Sequence, residues 1–220
     1  MKTVVNFLHK YCYEFLLICL LQHLYGSLFF TDLVFYGTYI RLINLVLIYV
    51  SSINAILNIK NHITKWDNLI IGITLIINST VLYFDKYYVL RDISFLFFLI
   101  LTFYHVCRFL YEPNKIGLAI ISSAIGGYLL IIEIFVRIFL IQHYFNTNSI
   151  SNINFKFHTN TFIDITYFCT VTISSIGFGD YLPLNHNTKM ITCLLGLIGQ
   201  MYLVVVMGIM VSKFMETNKK

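Results

Sequence analysis

Six consecutive residues, Ser175-Ile176-Gly177-Phe178-Gly179-Asp180, carry the clearest chemical pattern in the chain. Two glycines alternate with large apolar residues, a hydroxyl precedes them and a carboxyl follows. A dehydrated cation needs oxygens in place of its water, and backbone carbonyls can supply them if they all face one axis. Successive carbonyls face one way only when the backbone alternates its conformation, which glycine does cheaply. Gly177 and Gly179 have that spacing. The Ser175 hydroxyl adds one further oxygen at the end of the row. Ser174 and Thr172, just before it, can hydrogen-bond within a short helix and its turn. In a polar chain the same residues would read as a turn, so the surroundings decide.

Those surroundings are apolar. Of 220 residues, 58% are hydrophobic and 11% charged, where soluble domains carry about 25%. So few charges cannot coat a water-facing surface, and the class is integral membrane protein. The net charge is +5, but the cations are scattered with no like-charged block, so no nucleic-acid partner is expected. Cys12, Cys19, Cys107, Cys169 and Cys193 form no C-x-x-C and fall within or beside apolar runs. They read as small buried hydrophobes, without a disulfide or zinc framework.

Six apolar runs are long enough to cross a bilayer: 11–30, 35–58, 68–84, 93–111, 117–143 and 188–213. The third is the shortest. The first holds Glu14 and lacks a small-residue cleavage pattern, so it reads as a transmembrane helix and not a cleaved signal. A further run at 161–173 is too short to cross and lies between the last two, where a re-entrant segment fits. Asn58 to Asp67 is a polar loop, Glu112-Pro113-Asn114-Lys115 breaks the chain before the fifth run, and 146–160 reads as a loop. Residues 214–220 alone follow the last run, so no cytoplasmic ligand-sensing domain is expected.

The cations orient the chain. With both termini inside, Lys2, Lys10, Lys60, Lys65, Arg108, Lys115, Lys213, Lys219 and Lys220 are cytoplasmic, and Lys86, Arg91, Lys156 and Lys189 are outside. Nine against four predicts cytoplasmic termini and an external 144–187 segment.

Residues 162–180 resemble the pore segment of the potassium-channel pore family, commonly F-x-D-A-x-Y-F-x-x-x-T-x-T-T-V-G-Y-G-D, without a gap. Phe162, Asp164, Tyr167 and Phe168 fall on the pore helix, Thr172 on its end, and Ser175 to Asp180 on the filter; Pro183 follows. The resemblance implies potassium ions held at Ser175, Ile176, Gly177 and Phe178, with Gly179 completing the filter. Asp164, Tyr167, Thr172, Ser174 and Asp180 would support it. Ser175 stands where threonine is usual, Ile176 where valine is, and Phe178 where tyrosine is, which removes a phenol behind the filter. The family's gating glycine lies near Gly199, 22 residues beyond Gly177. Gly199-Gln200-Met201-Tyr202-Leu203 is similar to the inner helix of bacterial members. Gly196 and Gly208 read as packing glycines.

The expected fold is therefore an all-α membrane protein with six transmembrane helices and a re-entrant pore helix and filter between the fifth and sixth. Residues 1–112 resemble a voltage-sensor layout without its charges, and 113–220 form the pore domain. The fourth run carries only Arg91 and Arg108 as cations. They stand about 25 Å apart along a helix, at opposite membrane faces. His105 between them is the only other group able to carry a positive charge near neutrality, so little voltage gating is expected. Asp67 reads as a loop or cap acid, Glu133 and Arg137 as an i,i+4 pair bracing the pore helix or turret, and Arg41 as snorkelling or paired with Asp32. His143, His158 and His186 read as outward-facing.

One pore segment per chain predicts a homotetramer in contact with lipid, with permeant potassium ions, no cofactor and no enzymatic site. The composition suggests a bacterial inner membrane. A non-selective monovalent cation channel is the main alternative; a four-segment potassium-uptake subunit and a purely structural membrane protein are the others.

Overall fold

The computed structural model describes residues 11–58, 65–81, 88–112, 117–153 and 158–217. The Pro113 break and the loop cations Lys2, Lys10, Lys60, Lys86, Lys115, Lys156, Lys219 and Lys220 lie outside them, as do the side chains of Lys65 and His158.

The described residues are helical and hold no strand, only an isolated bridge between Ile150 and Pro183. We number the long helices α1 (Cys12–Tyr25), α2 (Arg41–Asn58), α3 (Lys65–Val81), α4 (Tyr88–Tyr111), α5 (Leu118–Phe145), α6 (His158–Ile173) and α7 (His186–Thr217). A short turn of helix at Leu33–Phe35 and a π-helical turn at Tyr36–Ile40 lead into α2. Asp32 starts them by accepting from the N–H groups of Val34 and Phe35, at 2.9 and 3.1 Å. That cap role replaces the expected pairing with Arg41, whose guanidinium instead lies over the Phe162 ring at 4.3 Å.

Among the described residues, four helical segments are long and apolar enough to cross a membrane: Cys12–Phe29, Val89–Tyr111, Leu118–Phe145 and His186–Met215. The second and third expected spans are shorter apolar helices, Arg41–Leu57 and Asp67–Asn78. With 17 residues, α3 reaches about 25 Å, short of a hydrocarbon core of about 30 Å.

The layout follows from which faces are apolar. Helix α5 is the centre: α1 and α4 lie along it, and α6 packs on it as well. Helix α2 packs on α1, and α3 on α4. Leu130, Ile132, Val136 and Phe139 of α5 are buried with Leu16 and Leu20 of α1, Phe95 and Phe98 of α4, and Ile165 and Cys169 of α6. Cys12 and Cys19 are buried as expected, but Cys193 of α7 is exposed. Most of α7 is uncovered in the single chain: Leu194, Leu197, Met201, Val204 and Met207 all face outward.

Candidate permeation site

Helix α6 begins at His158, three residues earlier than its apolar run, and is 16 residues long, about 24 Å, shorter than a hydrocarbon core of about 30 Å. Its carboxyl end winds straight into the 174–180 loop. The N–H groups of Ile176 and Gly177 both donate to the carbonyl of Val171, at 3.0 and 3.3 Å, and Ser175 N–H donates to Thr172 O at 3.0 Å. Ser174 Oγ donates back to Thr170 O at 2.7 Å. Ser174 thus closes the turn through its hydroxyl; Thr172 does so through its carbonyl.

Beyond the helix the backbone alternates. Ser175, Gly177 and Gly179 have φ of +60°, +57° and +79°, and neither Ile176 nor Phe178 has a positive φ. Left-handed conformation suits glycine and costs other residues roughly 1–2 kcal/mol. Ser175 therefore holds its conformation against its intrinsic preference.

Two straps hold the far end. Tyr167 Oη donates to Asp180 Oδ2 at 2.7 Å, joining the middle of α6 to the end of the loop. Asn152 Nδ2 donates to Asp180 O at 2.7 Å, Ser151 N to Leu182 O at 2.9 Å and Leu184 N to Ser149 O at 2.9 Å. These bonds tie the segment after α5 to the segment after Asp180. Asp164 lies beside Tyr181, whose phenol is pushed up to about 12 by burial and then by the Asp164 carboxylate. It therefore keeps its proton at physiological pH and can donate to that carboxylate. The residues singled out as supports, Asp164, Tyr167, Ser174 and Asp180, are thus in hydrogen-bonded contact with the loop or its continuation. Phe178 has no phenol to add, and its side chain is 70% exposed; Ile176 is 56% exposed.

Helix α7 closes against the end of α6 and the loop. A Cβ at Gly199 would collide with the Ile173 side chain at the end of α6. Tyr128 Oη of α5 donates to Ile173 O at 3.3 Å from the other side. Close packing thus accounts for a glycine at 199, and α7 runs unbroken past it. Gln200 Nε2 donates to Ser175 Oγ at 2.9 Å. The opposite end of α7 is capped by Thr188, whose hydroxyl accepts from Asn185 N–H at 3.1 Å and lies 3.0 Å from Ser149 O.

A buried ionic cluster joins the first helices to this module. Arg137, 1% exposed, pairs with Glu133 on its own helix and donates from Nη1 to Asp92 Oδ1 of α4 at 3.1 Å. His23 Nε2 of α1 lies 3.0 Å from Arg137 Nη2 and 3.2 Å from Glu133 Oε1. Tyr144 Oη donates to Asp92 Oδ2 at 3.0 Å, and Arg91 Nε is 3.5 Å from Asp92 Oδ1. The guanidinium also sits 5.5 Å from the Phe162 ring of α6. The expected brace from Glu133 and Arg137 reaches α6 at the Phe162 ring and takes in members that sequence spacing did not disclose, among them His23, Asp92 and Tyr144. Arg91, expected at a membrane face, leans on this cluster. His143, expected to face outward, is buried, with Nδ1 3.2 Å from Ser149 Oγ, because the segment after α5 folds back over it. His186 is exposed as expected. Asp67 is no solvated cap acid: its Oδ2 is 3.7 Å from Nε2 of the buried His105.

Residues 128–216, from the middle of α5 to the end of α7, match the family described as "Ion channel". This part of the chain is similar to ion channels. A stretch of 35 residues is 46% identical to "Two pore potassium channel a" of Oryza sativa subsp. japonica, covering 16% of this chain and 10% of that protein. The two findings support a likeness of this part of the chain to the potassium-channel pore family, a family of channels and not of enzymes. The chain spans about a tenth of the length of the curated relative it matches. No solved structure matches the chain.

Proposed function

We propose that the channel conducts potassium ions passively and selectively, through a pore formed by four copies of the chain. Ser175 to Gly179 serve as the filter, and six helices cross the membrane with α6 re-entrant between α5 and α7. The observation that carries this reading is the alternation of φ at Ser175, Gly177 and Gly179. A backbone that alternates hand turns successive carbonyls the same way, as a dehydrated cation requires. The carboxyl end of α6 leads into the loop, and the partial negative charge of a helix carboxyl end favours a cation there. A single loop offers one side of an oxygen cage, so four copies are needed to close it. The uncovered apolar surface of α7, with Ile176 and Phe178, supports contact with neighbouring copies.

The termini lie in the cytoplasm on this reading, and the strapped segment between α5 and α6 lies outside. Purified protein in liposomes tests it. With asymmetric potassium and sodium, the reversal potential should follow the potassium gradient, and Gly177→Ala should abolish the current. A reversal potential near zero would establish the non-selective alternative instead. Unchanged flux in the Gly177→Ala protein would remove the loop from the pore.

A further inference from the structure

The bond between Gln200 and Ser175 joins two residues 25 positions apart that have no obvious reason to meet. Its setting is rigid. Ile173, two residues before Ser175, fills the space where a side chain at Gly199 would stand, and its carbonyl takes the Tyr128 phenol from the other side. Gln200 follows Gly199 directly on α7. The offset between Ser175 and Gln200 is therefore set by backbone and apolar packing, not by the flexible amide alone.

Ser175 needs such an anchor. Its φ of +60° puts a non-glycine residue in the left-handed region. A serine hydroxyl also has three staggered wells to choose from. Serine lacks the methyl group by which threonine packs, so nothing on its own side chain holds the oxygen in one well. An amide N–H can. It takes one of the two lone pairs of Oγ and leaves the other free for a cation.

We infer that Gln200 is the positioning residue for the Ser175 hydroxyl, and that this bond sets how well the innermost oxygen ring distinguishes potassium from sodium. The inference rests on the reading of Ser175 to Gly179 as the filter. With the hydroxyl anchored, four Ser175 oxygens keep a fixed spacing that fits the larger ion. Without the anchor the oxygens swing inward onto sodium or outward from both.

The test is the potassium-to-sodium permeability ratio of reconstituted channels. Gln200→Met keeps the length of the side chain and removes the donor. It should lower the ratio about fivefold while conduction persists, a change equivalent to the ~1 kcal/mol of one hydrogen bond. Ser175→Ala should lower it by a similar factor. The double variant should fall no further than the worse single, since both remove the same bond. A parental ratio in Gln200→Met, or a double variant whose loss is the product of the two, overturns the inference. So does a lower unfolding temperature with the ratio unchanged, which is what a merely structural contact would give. Failure of the filter reading looks different. There Gly177→Ala still conducts, or the parent protein itself passes both ions equally. A silent Gly177→Ala beside a fully selective Gln200→Met would sink the Gln200 inference alone.

Discussion

Arg137 serves two carboxylates from one buried guanidinium, and its partners come from three helices. In that position its removal matters more than its presence, because a buried carboxylate left alone keeps its desolvation cost. Arg137→Met strands Glu133 and Asp92 together and should destabilise the fold by roughly 3–5 kcal/mol. Thermal unfolding in detergent should show a large drop in midpoint, and Glu133→Gln combined with Arg137→Met should be less damaged than Arg137→Met alone. The pair Glu133 and Arg137 was legible as an i,i+4 spacing on one helix. His23 and Asp92 were not, because they lie 110 and 41 positions from Glu133 and nothing local marks them.

At the level of elements, α6 and α7 meet where Gly199 admits Ile173. A methyl group there must displace a β-branched side chain that is stiff at χ1 and held by its own helix. Gly199→Ala should therefore destabilise by about 1–3 kcal/mol through overpacking. Adding Ile173→Ala should recover much of the loss if packing is the reason, as read from the unfolding midpoint. A hinge role predicts otherwise: the gating defect of Gly199→Ala would persist in the double variant. Six apolar runs were visible from composition. Two of the helices they form are nevertheless shorter than a bilayer core, since polar residues end the apolar stretch of α3 and a π-helical turn interrupts the lead into α2.

For the molecule as a whole, α4 carries Arg91 against Asp92 and Arg108 near its other end, with the buried His105 between them beside Asp67. No row of cations is placed along α4 among the described residues. Each charge that crosses the field contributes about 2.3 kcal/mol per 100 mV. With none poised to cross, reconstituted currents should show no steep activation between −100 and +100 mV, taken as roughly the physiological span of that term. A steep sigmoidal conductance would mean that charges move through the field after all. The first four helices instead look like a scaffold: they grip α5 and, through His23 and Arg41, the first turns of α6.

The sequence alone determined the membrane class and where the loop's glycines stand. Too few charges to face water, apolar runs of membrane length and a Gly-x-Gly row after a hydroxyl are all local properties, and local properties are written in order along a chain. Tyr167 and Asp180 were named as supports through the resemblance of residues 162–180 to the potassium-channel pore segment, and their bond was seen only in the fold. Tertiary structure alone decided what comes from distant parts: the ionic cluster of His23, Asp92, Glu133 and Arg137, the burial of His143, and the amide of Gln200 on Ser175. Hydrogen bonds and ion pairs act over about 3 Å, and only the folded backbone brings residues so far apart in sequence within that range.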